Sequence, residues 1–327
     1  MRGFVVFLFV FMVAHVMGQN IDVEAKYKAV FDNREYSKPY NFEKETIAGS
    51  QLNVEFGPKS NNEHRFRAGL NYFYEFGSDF LELKPKPILY YAYNYQDTKF
   101  LFGSFSRDEV PRFPDALLSD RFMYFYPTIG GLMYQKNTKN YGVSVVGDWV
   151  SRQTEIRREQ FMISIAGALH PGNLIMEIYL NQFHNGGRTI PSVTDYIDDY
   201  LSGVALFGFN FANLSGLDKA EIKTGILTTT HRDRQVSRVH VIAHSSYSEI
   251  LLESHRVGAE IHLKFGGLHQ TAFGDDFYET VNNYVRTNIY FVLFHTSQLD
   301  AHFTWSLHTY KGIVDHQQII SLSYLIR

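Results

Sequence analysis

From Tyr284 to Arg327 the chain alternates apolar and polar residues with a period of two, three times in succession. Val285, Thr287, Ile289, Phe291 and Leu293 fall on one face; Tyr284, Arg286, Asn288 and Tyr290 fall on the other. After Ser297-Gln298, Leu299, Ala301, Phe303, Trp305 and Leu307 oppose Asp300, His302, Thr304, Ser306 and His308. After Lys311-Gly312 the pattern returns, with Ile320, Leu322, Tyr324 and Ile326 against Ser321 and Ser323. A period of two is the mark of a strand with one apolar and one polar face. Each run is about ten residues, the length a tilted strand needs to cross a bilayer. Aromatic residues near the run ends suit a lipid interface. Such a pattern, repeated along a whole chain, closes into a membrane barrel.

The rest of the chain repeats the unit. The clearest early strand sets Phe66, Ala68, Leu70, Tyr72, Tyr74 and Phe76 against Arg65, Arg67, Gly69, Asn71 and Glu75. Leu201 to Phe211 is apolar on both faces in places, so its register is open. Thr230 to Ser254 is ambiguous: a long loop holding a strand pair or a short helix. Phe265-Gly266-Gly267 reads as a hairpin turn, with a strand over Leu268 to Phe273. Short connections at Gly57–Asn62, Gln96–Thr98, Lys136–Asn140, His170–Asn173, Ala212–Asp218 and Ser297–Gln298 alternate with longer ones. The expected fold is all-β: a transmembrane, antiparallel, up-and-down barrel of about 16 strands, within about 14–18. Short turns would face the periplasm and longer loops the outside. A soluble propeller or sandwich fits less well, because strands there average about five to six residues.

Composition agrees. Aromatics make up 16 % of the 327 residues, and the mean hydropathy of −0.21 is that of a chain in which only alternate strand residues meet lipid. The net charge of −3 gives no pull toward nucleic acid. With no cysteine there is no disulfide, thiolate metal site or Cys nucleophile. Arg2, the apolar run Phe4 to Val13 and Val16-Met17-Gly18 read as a signal peptide over 1–18, with the barrel over 19–327. The expected address is the outer membrane of a Gram-negative bacterium.

Three sets of residues carry candidate chemistry. Arg107, Asp108, Glu109, Arg112, Asp115, Asp120 and Arg121 lie in one long connection, which could fold inward and form a constriction that selects solutes by charge and size. Arg65, Arg67, Glu75, Lys223, Glu260, Lys264, Arg286, Asp300 and His302 should face the lumen, because a charge on the lipid side costs several kcal/mol near the midplane. Arg152, Glu155, Arg157, Arg158 and Glu159 form a strand-loop junction that could hold an anionic group or lipopolysaccharide phosphates. The 14 histidines show no metal-ligand spacing, and Ser245-Ser246 beside His244 is discounted because adjacent strand residues point to opposite faces. No catalytic, cofactor or metal residue is assigned.

Phe105-Ser106-Arg107, Pro114 to Asp120, Tyr124 to Pro127, Asp148 to Thr154, Arg157 to Phe161, Gly274 to Tyr278 and Asp315 to Gln318 resemble a family of porin-like outer-membrane barrels from Bacteroidota. The resemblance spans most of the chain and implies fold and location. It departs at the last residue: such barrels commonly end in an aromatic, and this chain ends Leu325-Ile326-Arg327. The expectation is a non-enzymatic, cofactor-free porin for small hydrophilic solutes, embedded among outer-membrane lipid and lipopolysaccharide, with homo-oligomers left open. The alternatives are a barrel enzyme acting on lipid or glycan, and a structural or adhesive barrel.

Overall fold

A computed structural model describes residues 21–37, 42, 44–58, 63–79, 81–190, 196–236 and 239–326. The signal-peptide expectation and parts of the turn at Gly57–Asn62 lie outside them. Sixteen strands run in sequence order: β1 Ile21–Glu35, β2 Thr46–Pro58, β3 His64–Glu75, β4 Lys86–Tyr95, β5 Thr98–Ser106, β6 Thr128–Asn137, β7 Tyr141–Ser151 and β8 Gln160–Leu169 form one half. The other half is β9 Leu174–Asn185, β10 Asp198–Asn210, β11 Lys219–Asp233, β12 Val241–Ser254, β13 Val257–Gly266, β14 Asn283–His295, β15 Leu299–Tyr310 and β16 Ile313–Ile326. Every strand is antiparallel to its sequence neighbours, and β1 pairs with β16, so the sheet closes into a barrel with no free edge.

An even strand number brings the start of β1 and the end of β16 to one end of the barrel. The short turns lie at that end, the periplasmic one, with the small helix α2 (Ala212–Ser215) in the longest of them. The long connections 36–45, 76–85, 107–127, 152–159, 186–197 and 267–282 emerge at the other, outer end, together with the shorter 234–240 between β11 and β12. The tightest connection there is the two-residue turn Lys311-Gly312, where both residues have positive φ, as a tight hairpin needs.

One open expectation is decided and one is corrected. Thr230–Ser254 holds no helix: it contains the end of β11, a turn and all of β12, as the strand-pair alternative has it. Conversely, Leu268 to Phe273 is not a strand, and Phe265-Gly266-Gly267 does not turn a hairpin. It opens the long connection 267–282, which includes helix α3 (Asp276–Thr280). The strand count stays at sixteen because β12 takes the place of the strand expected over Leu268 to Phe273.

The outer half of the lumen is filled. The connection 107–127, carrying helix α1 (Asp120–Phe125), and the connection 267–282 fold inward and meet in a bridge between Leu118 and Phe273. Phe113, Ala116, Leu117 and Phe122 from the first, and Phe277, Tyr278 and Val281 from the second, are buried against Phe42 and wall residues Met162, Phe183, Val204, Leu206, Leu227 and Tyr247. This explains why β10 reads as apolar on both faces: Val204 and Leu206 point to the plug, while Leu201 and Phe207 point to lipid. An apolar face turned to the plug gains the same burial energy as one turned to lipid.

Buried ions pin the plug to the wall. Arg286 on β14 donates to Asp115 at 2.5 Å, and Arg107 donates to Asp148 on β7 at 2.5 Å. Lys264, fully buried, donates to the carbonyls of Tyr278 at 3.0 Å and Val281 at 2.6 Å, closing the end of α3. Asp275 caps the start of that helix by accepting from the Phe277 amide. Enclosure in the barrel pushes the Asp275 carboxyl up to about 6. The acid is therefore held more protonated in the docked plug than in a released one. Docking is unpenalised below about pH 4, weakens as pH rises toward 6, and above that carries a penalty of at most about 3 kcal/mol. Because Asn caps as well as Asp, Asp275→Asn should slow hydrogen exchange of the α3 amides at pH 7.5 and leave it unchanged at pH 4.

Candidate functional site

The charged residues of the 107–127 connection pair within the barrel rather than standing in opposed rows across an opening. Asp108 accepts from Lys26 at 3.0 Å and from Lys28; Glu109 pairs with Lys99. Arg112 donates to Asp115 at 3.1 Å and Asp120 at 2.7 Å, and Arg121 donates to Glu45 at 2.6 Å. Beneath this layer lies a cavity of about 610 Å³, lined by Lys28, Arg112, Glu260, Tyr290, Asp300 and Ser323 among others. A second, of about 270 Å³, lies at the outer end between Arg34, Tyr36, Phe125, Phe273 and Asp276.

The other inward set forms local networks. Arg67 reaches Asp22, and Arg65 and Glu75 share its face of β3 with buried Asn71. Lys223 lies 2.9 Å from Glu177 and 2.7 Å from Glu249. Glu260 sits 3.3 Å from both His262 and the Asn288 amide. Asp300 lies between His295 at 2.9 Å and His302 at 2.6 Å, near the periplasmic end.

Hydrolytic chemistry needs a base whose ring is fixed on one side and open on the other. His308 has both nitrogens engaged, by Tyr284 at 2.6 Å and Gln317 at 3.1 Å. Ser245 contacts His269 at 2.6 Å, but the second nitrogen of His269 is 3.0 Å from Thr229, and both residues are buried away from either cavity. His231 and His262 face the plug, with their second nitrogens on Gln270 and Tyr247. His295 and His302 lie at the periplasmic end. Among the described residues His244, on the outside of β12, meets the Thr228 hydroxyl, at 3.0 Å, and no carboxylate.

His184 differs from all of these. It is next to last in β9, at the outer end, on the face that turns to lipid. Its Nδ1 lies 2.8 Å from Asp199 Oδ1, and its Nε2 makes no hydrogen bond to the described residues. Register explains the meeting. Trp149 on β7 pairs with Phe161 on β8, Phe161 with His184, His184 with Asp199 on β10, and Asp199 with Arg232 on β11. One rung thus runs across five strands, and all its side chains point outward. The Phe161 ring lies 5.0 Å from the imidazole and 5.6 Å from Trp149. Arg232 donates to Asp199 at 2.9 Å, and Arg234 donates to both its oxygens at 2.7 and 3.0 Å. The two guanidinium groups fix the carboxylate in place; the carboxylate then orients the imidazole with Nδ1–H toward it, leaving the Nε2 lone pair open. Arg158 closes the side, donating to the carbonyls of Gly186 at 2.9 Å and Asn185 at 3.2 Å and covering the Tyr196 ring at 4.1 Å.

No sequence motif marked His184 or Asp199, because their partners are 15 residues apart in the chain and joined only by register. One signal was available: polar residues at the lipid-facing positions of otherwise apolar alternating strands. Ser245 and His244 do point apart, as expected, yet Ser245 finds another imidazole, His269 of the connection 267–282.

A sequence model described as lipid A 3'-O-deacylase-type matches residues 16–319. No curated protein sequence matches the chain. Among solved structures, a loop-deletion mutant of OmpT from Vibrio cholerae aligns with a TM-score of 0.54 at 9 % identity, covering 94 % of this chain and 99 % of that one. OmpT itself, expressed in the outer membrane, gives 0.52 at 11 % identity over 94 % and 97 %. OprB from Pseudomonas putida gives 0.53 at 10 % identity over 96 % of each chain. At such identities the likeness is one of fold: this is a porin-like outer-membrane barrel. The expectation that the chain is not an enzyme is overturned, since the matching family is named for an enzymatic activity.

Proposed function

The chain belongs to the lipid A 3'-O-deacylase-type family, and from that premise we propose that it hydrolyses an acyl ester of a phosphorylated outer-leaflet lipid, at the lipid-facing rung that holds His184 and Asp199. The observation that carries the reading is the acid-oriented imidazole on the outside of the barrel at its outer end, flanked by Arg232 and Arg234. A lipid embedded in the outer leaflet reaches that wall by lateral diffusion. It need not enter a lumen whose outer half is packed with Phe113, Leu117, Phe122 and Phe277. Among the functions suggested by the sequence, the lipid-acting barrel enzyme therefore has more support than the open solute channel.

Each residue has a stated part. Arg234 and Arg232 attract the headgroup phosphates, since guanidinium pairs with phosphate oxygens in a fixed fork geometry. His184 Nε2 takes a proton from water as the water oxygen attacks the ester carbonyl. The tetrahedral intermediate collapses with cleavage of the C–O bond, and the imidazolium returns the proton to the departing alkoxide. A fatty acid and a lipid hydroxyl result. Asp199 stabilises the imidazolium through Nδ1–H. Trp149 and Phe161 offer an apolar bed for the acyl chain at the interface. On this reading the 107–127 connection acts as a plug that narrows the lumen.

Release of fatty acid from lipopolysaccharide in mixed micelles tests the proposal. The open side of His184 also predicts a steric control. A Cβ on Gly186 would lie 3.1 Å from His184 Nε2 and 3.3 Å from Glu159 Cβ. Gly186→Val should therefore cover the base and reduce release at least about 10-fold, by analogy with small displacements in active sites. Ala substitution at Leu214, a residue of the periplasmic turn, should leave release unchanged.

A further inference from the structure

A second polar patch lies on the lipid-facing wall, where β15, β16, β1 and β2 meet. β10 is eight places from β2 in either direction round the ring, so the patch is opposite the His184 rung. It comprises Trp305, His316, Gln318, Glu35, Asn33 and Thr46, all on the outer face and within six residues of the outer ends of their strands. Register places Trp305 beside Gln318, Glu35 beside His316, and Asn33 between Gln318 and Thr46.

The hydrogen bonds are directional. Thr46 Oγ1 donates to Asn33 Oδ1 at 2.9 Å. Asn33 Nδ2 donates to Gln318 Oε1 at 2.7 Å and to Glu35 Oε1 at 2.9 Å. Both Asn33 Nδ2 hydrogens are thereby used, and the side chain works as a brace. What remains facing outward is the Gln318 amide NH₂, the second Glu35 oxygen and the His316 imidazole, whose ring stacks on Trp305 at 5.9 Å and 19°. No cation pairs with Glu35 among the described residues.

We infer that this patch binds the uncharged sugar of an outer-leaflet glycolipid. The chemistry selects that partner. A carboxylate without a counter-cation repels phosphate, which rules against the ligand class suited to the arginine-bearing rung. Sugar hydroxyls supply donors for Glu35 and acceptors for Gln318, and the half-exposed Trp305 ring offers a flat apolar surface to a sugar face. Placement on the lipid-facing wall, rather than on a loop, selects a membrane-anchored sugar over a free one. Bare amides and a carboxylate there would otherwise meet the acyl boundary unpaired, at a cost.

Native mass spectrometry of the protein from nanodiscs containing equal amounts of monogalactosyl diacylglycerol and phosphatidylglycerol provides the test. Preferential retention of the galactolipid is expected, with Gln318→Leu and Asn33→Leu each lowering the preference about 3- to 10-fold, the value of one or two hydrogen bonds. Leucine belongs on a lipid-facing wall, so both variants should keep the heat-resistant barrel band on gels. His184→Ala should retain galactolipid as the wild type does, which separates this inference from the hydrolase reading. Retention favouring phosphatidylglycerol, equal retention, or a preference unmoved by both leucine variants overturns it.

Discussion

His184→Ala lowers kcat/KM for release of fatty acid from lipopolysaccharide by about 100- to 10,000-fold, the range for loss of a positioned general base. The substitution removes the open Nε2 and leaves Asp199 held by Arg232 and Arg234, so the barrel should fold and insert as before. Asp199→Asn is the sharper companion. Its amide can keep one hydrogen bond to His184 while failing to stabilise the imidazolium, so kcat should fall with little change in KM. Arg234→Gln should mainly raise KM, because it removes a phosphate contact, and should lower kcat less than Asp199→Asn does, because Arg232 still holds Asp199. Release unchanged in all three variants with the barrel intact would mean that the rung is only a structural girdle.

Arg286→Leu releases the plug. Asp115 would be left enclosed without its 2.5 Å partner, and breaking a buried pair from one side costs about 3–5 kcal/mol. Asp120, 3.6 Å from the same guanidinium, loses a second contact. The cost exceeds what Arg112 can restore from its remaining bonds, so the 107–127 connection should leave the lumen for part of the time. In planar bilayers the wild type should conduct ions poorly, and Arg286→Leu should produce openings approaching those of a variant lacking 111–126. Protease added from outside should cleave the connection in Arg286→Leu only. Wild-type conductance equal to that of the deletion variant would return the protein to the solute-channel reading.

The barrel was legible in the sequence because each strand must satisfy two solvents at once, and that demand writes a period of two into residues such as Leu299 to Tyr310. It failed where the lumen is not water. Val204 and Leu206 meet the plug, so β10 lost its alternation. The start of β12 did so too, with Tyr247 buried against the plug and the polar His244, Ser246 and Ser248 on the outer face. Leu268 to Phe273 looked like a strand because Phe273 packs on Phe122 and Phe183 inside the lumen. The charges of the 107–127 connection were found, yet nothing local says that Asp115 meets Arg286, 171 positions away. The rung was illegible for a related reason: Trp149, Phe161, His184, Asp199 and Arg232 come from five strands and align only once the register of all five is known.

The most direct test of the central claim, that chemistry takes place on the lipid-facing wall, is photo-crosslinking with lipopolysaccharide carrying a photoactivatable group beside an acyl ester. Attachment should concentrate within residues 158–161, 182–186, 199–201 and 230–234. Attachment confined to the inward-folded segments 107–127 and 267–282 would contradict the account.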